Sequence, residues 1–175
     1  MVGRCRSAWA AALSEQPARQ LGLAPENRRP PACAPFNACH MNISVETLVR
    51  APIDQVWLAW TTPSDVKQWN AASADWHTTD ASVDLRVGGS FSSRMEAKDG
   101  SMGFDFAGTY TQIVEHRLIE CSFGDRTLRV EFLQRPEGVT VRETFDAEST
   151  HSVDHQRQGW QAILSNFARY VEARA

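Results

Sequence analysis

Basic residues are scarce in the body of this 175-residue chain. The first forty residues hold Arg4, Arg6, Arg19, Arg28 and Arg29 against only Glu15 and Glu26, so 13 of the 18 basic but 19 of the 21 acidic groups fall in the rest. Nucleic-acid affinity rests chiefly on Lys and Arg neutralising phosphates, and an acidic body argues against it. Cysteine is scarce too: Cys5, Cys33 and Cys39 cluster near the N-terminus and Cys121 stands alone in the body, which is no disulfide framework. Cys33 and the Cys39-His40 pair are spaced too widely for a zinc knuckle. A reducing, cytoplasmic setting is the expectation. No apolar run approaches the roughly 20 residues that span a bilayer, so no membrane insertion is expected. The run "AWAAAL" at Ala8 to Leu13 is short for a secretory signal.

Motifs for covalent or nucleotide chemistry are missing as well. No nucleophile elbow, phosphate loop or dinucleotide fingerprint occurs, and "VGGSF" at Val87 to Phe91 lies at a hairpin rather than before a helix, where it could cradle phosphate. No cofactor is expected. What is present is a composition of 42% hydrophobic and 22% charged residues, that of one soluble globular domain. A domain of this size buries roughly two-thirds of its unfolded surface and needs no staple.

Residues 1–40 carry Pro17, Pro25, Pro30, Pro31 and Pro35 with little periodicity, so a largely disordered leader is expected, with at most a short helix at Ser7 to Leu13. Pattern begins at Met41. The leader reads either as an upstream-start artefact or as a transit peptide or tether, and the methionine at the boundary favours the artefact. From residue 41 to 175 a single domain is expected.

From Asn42, Ile43, Val45, Thr47 and Val49 alternate as a strand. Pro52 suits a helix start and Asp54 its positive end, giving a short helix to Trp60, and Pro63 starts a second through Trp69. The pair is too short and too acidic for a DNA-binding helix-turn-helix. Strands are then predicted at Trp76–Val87, Phe91–Ala97, Phe104–Val114, Leu118–Phe123, Leu128–Gln134 and Val139–Phe145. Gly88-Gly89, Asp99-Gly100, Gly124-Asp125 and Pro136-Glu137-Gly138 supply turns between them. Gln156 to Arg174 carries Trp160, Ile163, Leu164, Phe167, Tyr170 and Val171 on the stripe of a long amphipathic helix. An antiparallel sheet of seven strands must cover its apolar face, and only this helix is long enough.

The stretches "APIDQVWLAWTTPSDVKQW", "DLRVGGSF", "MEAKDGSMGFDFAGTYTQI", "VRETFDAE" and "GWQAILSNFARYVE" resemble the START/polyketide cyclase-like (SRPBCC) superfamily, in its activator of Hsp90 ATPase homologue group. The resemblance covers Met41 to the C-terminus. It implies an α+β helix-grip fold like that of START domains and the birch-pollen allergen: a curved seven-stranded sheet wrapped on the C-terminal helix, enclosing a hydrophobic cavity. Members bind lipids, hormones or polyketides, a few catalyse cyclisation, and eukaryotic relatives stimulate Hsp90. Many read Trp-Gly-Pro after the second helix, where this chain has Trp69-Asn70-Ala71-Ala72, which puts inherited ligand preference in doubt.

The leading expectation is an apolar small-molecule-binding module, with no metal. Its cavity wall is drawn from Trp69, from Phe91 and Met95, from Phe104, Phe106 and Tyr110, from Leu128, Val130 and Phe132, from Val141, Glu143 and Phe145, and from Gly159, Trp160, Leu164 and Phe167. Glu143 shares the face of Val139, Val141 and Phe145 and is the one acid-base candidate for the alternative, a cyclase- or hydrolase-like enzyme. The competing structural reading pairs it with Arg94 or Arg126, or turns it outward at a bulge. Gly159, costly inside a helix, implies either a close strand or room for a ligand. His151, Asp154 and His155 have a metal-like spacing but no HExxH glutamate, and they read as solvated residues entering the helix, as His77 beside Asp75 reads as surface. A third class, an Hsp90-type co-chaperone, is disfavoured because the chain lacks the extra N-terminal domain of those relatives, and a homodimer is left open. Of the three tryptophans Trp57, Trp60 and Trp69, the first two read as anchors and Trp69 as the ligand contact.

Overall fold

In the computed structural model, which describes residues 41–175, alternation becomes sheet where turns allow it. Strand β1 (Asn42–Val49) is followed by helices α1 (Ile53–Thr61) and α2 (Pro63–Trp69). Strands β2 (Trp76–Val83), β3 (Ser90–Ala97), β4 (Gly103–Val114), β5 (Leu118–Phe123), β6 (Arg126–Arg135) and β7 (Gly138–Asp146) then lead to helix α3 (Val153–Glu172). The sheet order is β1-β7-β6-β5-β4-β3-β2, antiparallel throughout. Thus β2 to β7 form a meander, and β1 joins the far edge by pairing with β7. The chain passes from one sheet edge to the other through α1 and α2.

Two elements differ from the sequence reading. The first long strand stops at Val83 rather than Val87: Asp84 and Arg86 form a local ion pair, Arg86 N–H bonds back to Asp84 O, and Leu85 and Val87 are exposed although they continue the alternation. Helix α3 starts at Val153, three residues before Gln156, because the Ser152 hydroxyl accepts the His155 N–H at 3.2 Å as an N-cap. The expected helix at Ser7 to Leu13 and the leader lie outside the described residues.

The β4–β5 reversal contains no glycine, and His116 takes the left-handed conformation there at φ 60°. At the β6–β7 turn Gly138 has φ 145°, and a Cβ on it would lie 2.2 Å from the Val49 carbonyl oxygen of the neighbouring edge strand. Only glycine lets β1 end that close to the turn.

Alternation sends Ile43, Val45 and Val49 of β1, Val139, Val141 and Phe145 of β7, and Leu128, Val130 and Phe132 of β6 to one buried face. Helix α3 covers it with Trp160, Ile163, Leu164, Phe167 and Val171. Polar ties fix the helix at both ends. Near its N-terminus the Gln156 side chain donates to the carbonyls of Glu148 and His151 and accepts the Glu148 N–H. Further along, Asn166 donates to the Ala71 carbonyl and the Tyr170 hydroxyl to Asp65, holding α3 against the α2–β2 segment.

Candidate functional site: a cavity with one buried carboxyl

A cavity of about 80 Å³ remains between the sheet and the three helices. Its helical wall comes from Trp60 of α1, Val66 and Trp69 of α2 with the following Asn70, and Trp160 and Ile163 of α3. The sheet supplies Ser82 and Val83, Phe91 and Ser93, Phe106 and Tyr110, Ile119 and Cys121, Leu128 and Val130, and Glu143. Such a volume admits several water molecules or a compact ligand. It is well below the roughly 300–1,000 Å³ typical of drug-sized sites.

Register explains the position of Glu143. It pairs with Val45 on β1 and Val130 on β6, and Val130 in turn pairs with Ile119 on β5, so the carboxyl sits in a row of aliphatic residues. Its residue is 4% exposed, and Oε2 has no hydrogen-bond partner among the described residues. Burial alone, with no opposing charge, pushes the carboxyl from 4.5 up to about 8. Neither anticipated arginine reaches it. Arg94 points to Glu96 at 2.8 Å and Asp105 at 3.4 Å, while Arg126 donates to the Asp146 carbonyl and lies over the Phe123 ring. The structural alternative of a paired or outward glutamate is therefore not what the chain adopts.

Two other titratable groups face the cavity. Burial pushes the Cys121 thiol up to about 12, with the Glu143 charge adding to the effect, and raises the Tyr110 phenol as well. Both remain protonated at neutral pH. The Trp69 indole donates to the Ala59 carbonyl at 3.0 Å, so it offers the cavity its ring rather than its N–H.

Of the wall residues named from the sequence, Trp69, Phe91, Phe106, Tyr110, Leu128, Val130, Glu143 and Trp160 line the space. The other eight do not, because close packing uses them up. Phe145 stacks on Trp160 at 4.1 Å between centroids, and Phe167 lies 4.9 Å from both Trp60 and Trp69. Phe132 is covered by Trp57 and Trp60, and Phe104 tilts against Trp76. Met95, Val141 and Leu164 are buried in the core, and Gly159 is buried on α3 without lining the space.

Trp60, expected to be mainly an anchor, stacks on Trp69 at 5.0 Å and shares the wall with it, whereas Trp57 faces Phe132 and His116. Asn70, at the divergent position, is buried with φ −80° and ψ 74°, a conformation that does not require glycine, and its carbonyl accepts from Thr78 at 2.6 Å. The sequence reading also missed Val66, Ser82, Val83, Ser93, Ile119, Cys121 and Ile163. Ser93 carried a usable signal: a small polar residue on an inward alternation between Phe91 and Met95 leaves space beside large neighbours.

The described histidines have other neighbours. His151 Nδ1 meets Glu148 Oε1 at 2.5 Å and its ring stacks on His155 at 5.6 Å, while His77 pairs across the sheet with Glu96. Among the described residues no group of three or more His, Cys, Asp or Glu side chains could hold a metal ion. No helix among them is long and apolar enough to cross a membrane.

A curved antiparallel seven-stranded sheet, gripping a C-terminal helix around a cavity, defines the START-like helix-grip class. The family profile described as "Activator of Hsp90 ATPase homolog 1-like protein" matches residues 50–172, and the chain belongs to that family. The solution structure of an AHSA1-like protein from Aeromonas hydrophila is 49% identical, with a TM-score of 0.73 over 77% of this chain and 94% of that one. A protein from Cytophaga hutchinsonii is 42% identical, with a TM-score of 0.67 over 76% and 93%. A Nitrosomonas europaea protein, at 17% identity and a TM-score of 0.67 over 79% and 98%, shares the fold. No curated protein matches the sequence.

Proposed function

We propose that this protein binds a compact, largely apolar small molecule in the cavity between sheet and helices. The observation that carries the reading is the cavity itself: about 80 Å³ walled by six aromatic rings and aliphatic side chains, with a single unpartnered carboxyl. Apolar pockets with few convergent polar groups are the usual form of ligand sites. Its size favours one-ring compounds over long lipids or extended polyketides. Binding is favoured over turnover because burial keeps both Cys121 and Tyr110 protonated at neutral pH, so neither is an activated nucleophile.

The enzymatic alternative rests on one observation, that Glu143 titrates near neutral pH as a general acid-base group should. Turnover of a bound compound that disappears in Glu143→Gln while binding persists would select it. A role at an Hsp90-type chaperone, which the family name suggests, has no feature among the described residues to carry it.

Titration with nitrobenzene, a neutral one-ring quencher of tryptophan fluorescence, tests the binding reading, since Trp60, Trp69 and Trp160 all line the space. Saturable quenching is expected, and Ser93→Phe, which fills the cavity, should abolish the saturable part. Linear, collisional quenching that is the same in both proteins would refute it.

A further inference from the structure

A deep carboxyl with no partner is costly to ionise, and a sequence under no ligand constraint could place Gln or Leu there at little expense. Three features converge on what would compensate it. Oε2 of Glu143 is buried and unpartnered beside the cavity. Among the described residues no Lys, Arg or His lines the space. Trp60, Trp69, Phe91, Phe106, Tyr110 and Trp160 turn an aromatic wall toward it.

Resting on the small-molecule reading above, we propose that the ligand is an organic amine, bound as its ammonium ion with the nitrogen on Glu143 and its apolar body against the aromatic rings. A cation over aromatic faces gains from their quadrupole, most when desolvated, and the carboxylate gains the counter-ion it lacks. Once ionised, the same carboxylate repels anions.

Protons balance simply. At neutral pH the carboxyl is mostly protonated, the amine arrives as ammonium, and its binding sends the Glu143 proton to solvent. Affinity for the amine therefore rises about tenfold per pH unit below the carboxyl's pKa. The neighbouring groups do not confuse that slope. Val45 faces Glu143 from β1, Val130 from β6 and Ile119 from β5, and α2 and α3 bring no ionisable side chain to the cavity. Tyr110 and Cys121, the titratable groups there, ionise far above the window.

The test compares benzylamine with benzyl alcohol, its neutral counterpart of similar shape, by calorimetry on the wild type and Glu143→Gln at about pH 6, 7 and 8. Benzylamine should bind at least about tenfold more tightly than benzyl alcohol at the highest pH, and tighten about tenfold from pH 6 to 7. In Glu143→Gln both the preference and the slope should vanish while benzyl alcohol still binds. Equal or better binding of the alcohol by the wild type overturns the amine proposal and leaves the small-molecule reading standing; binding of neither compound overturns both. If Glu143→Gln does not fold, a flat affinity of the wild type for benzylamine over that pH range overturns the proposal alone.

Discussion

The burial of Glu143 makes a prediction about stability that needs no ligand. In the folded chain the carboxyl is pushed from 4.5 to about 8. Between those values the native state holds a proton that the unfolded chain has released, so stability falls as pH rises across the window. Below 4.5 both states are protonated and the penalty is absent; above about 8 both are ionised and it is complete. At about 1.4 kcal/mol per pH unit, the full penalty is about 5 kcal/mol, and about 3 kcal/mol of it is present at pH 7. That is a large share of the roughly 5–15 kcal/mol by which domains are stable.

Glu143→Gln keeps the volume and removes the ionisation. Urea unfolding of both proteins at about pH 5 and about pH 9 should show the variant gaining several kcal/mol on the wild type between the two, with unchanged m-values. Taking the difference between the proteins cancels every other titrating group. A difference that is constant with pH, or that shrinks as pH rises, would mean the carboxylate is paired or hydrated and would refute the reasoning.

Other perturbations probe the frame around the site. Trp69→Phe removes the indole donor to the Ala59 carbonyl and should cost about 1–3 kcal/mol in denaturant unfolding, an unchanged midpoint counting against that bond. Gly108→Ala would place a Cβ 2.4 Å from the Ser122 carbonyl oxygen and 2.7 Å from the Phe91 ring, so a loss of about 1–3 kcal/mol is expected, with weakened nitrobenzene binding because Phe91 lines the cavity. Gln156→Leu leaves the Glu148 amide and the Glu148 and His151 carbonyls without their partner; thermal unfolding should drop by the equivalent of about 2–4 kcal/mol, and the Glu148 amide should exchange faster.

Much of the fold was legible because its signals are local. Period-2 alternation on β7 put Glu143 on the face of Val139, Val141 and Phe145, and Pro63 marked the start of α2, where it occupies the first turn. The same local signal failed at Leu85 and Val87, whose alternation continues past the point where the Asp84–Arg86 pair bends the chain away from β3. It failed differently at the site. Facing inward is a property of a strand, but facing empty space depends on what arrives from elsewhere, and Phe145, Phe167 and Phe132 face inward only to meet Trp160, Trp60 and Trp57.

The sequence by itself determined the order of elements, the reversals between strands, the family and the inward direction of Glu143, since each follows from short-range backbone geometry or from motifs readable in line. Only the tertiary structure decided that Arg94 and Arg126 are occupied elsewhere, that Trp60 joins Trp69 at the wall, and that the carboxyl is left alone. Those outcomes turn on register between strands and on the volumes that three helices and a curved sheet bring to one place. The side chains around Glu143 come from residues as far apart as Trp60 and Ile163, and no window of the sequence contains their fit.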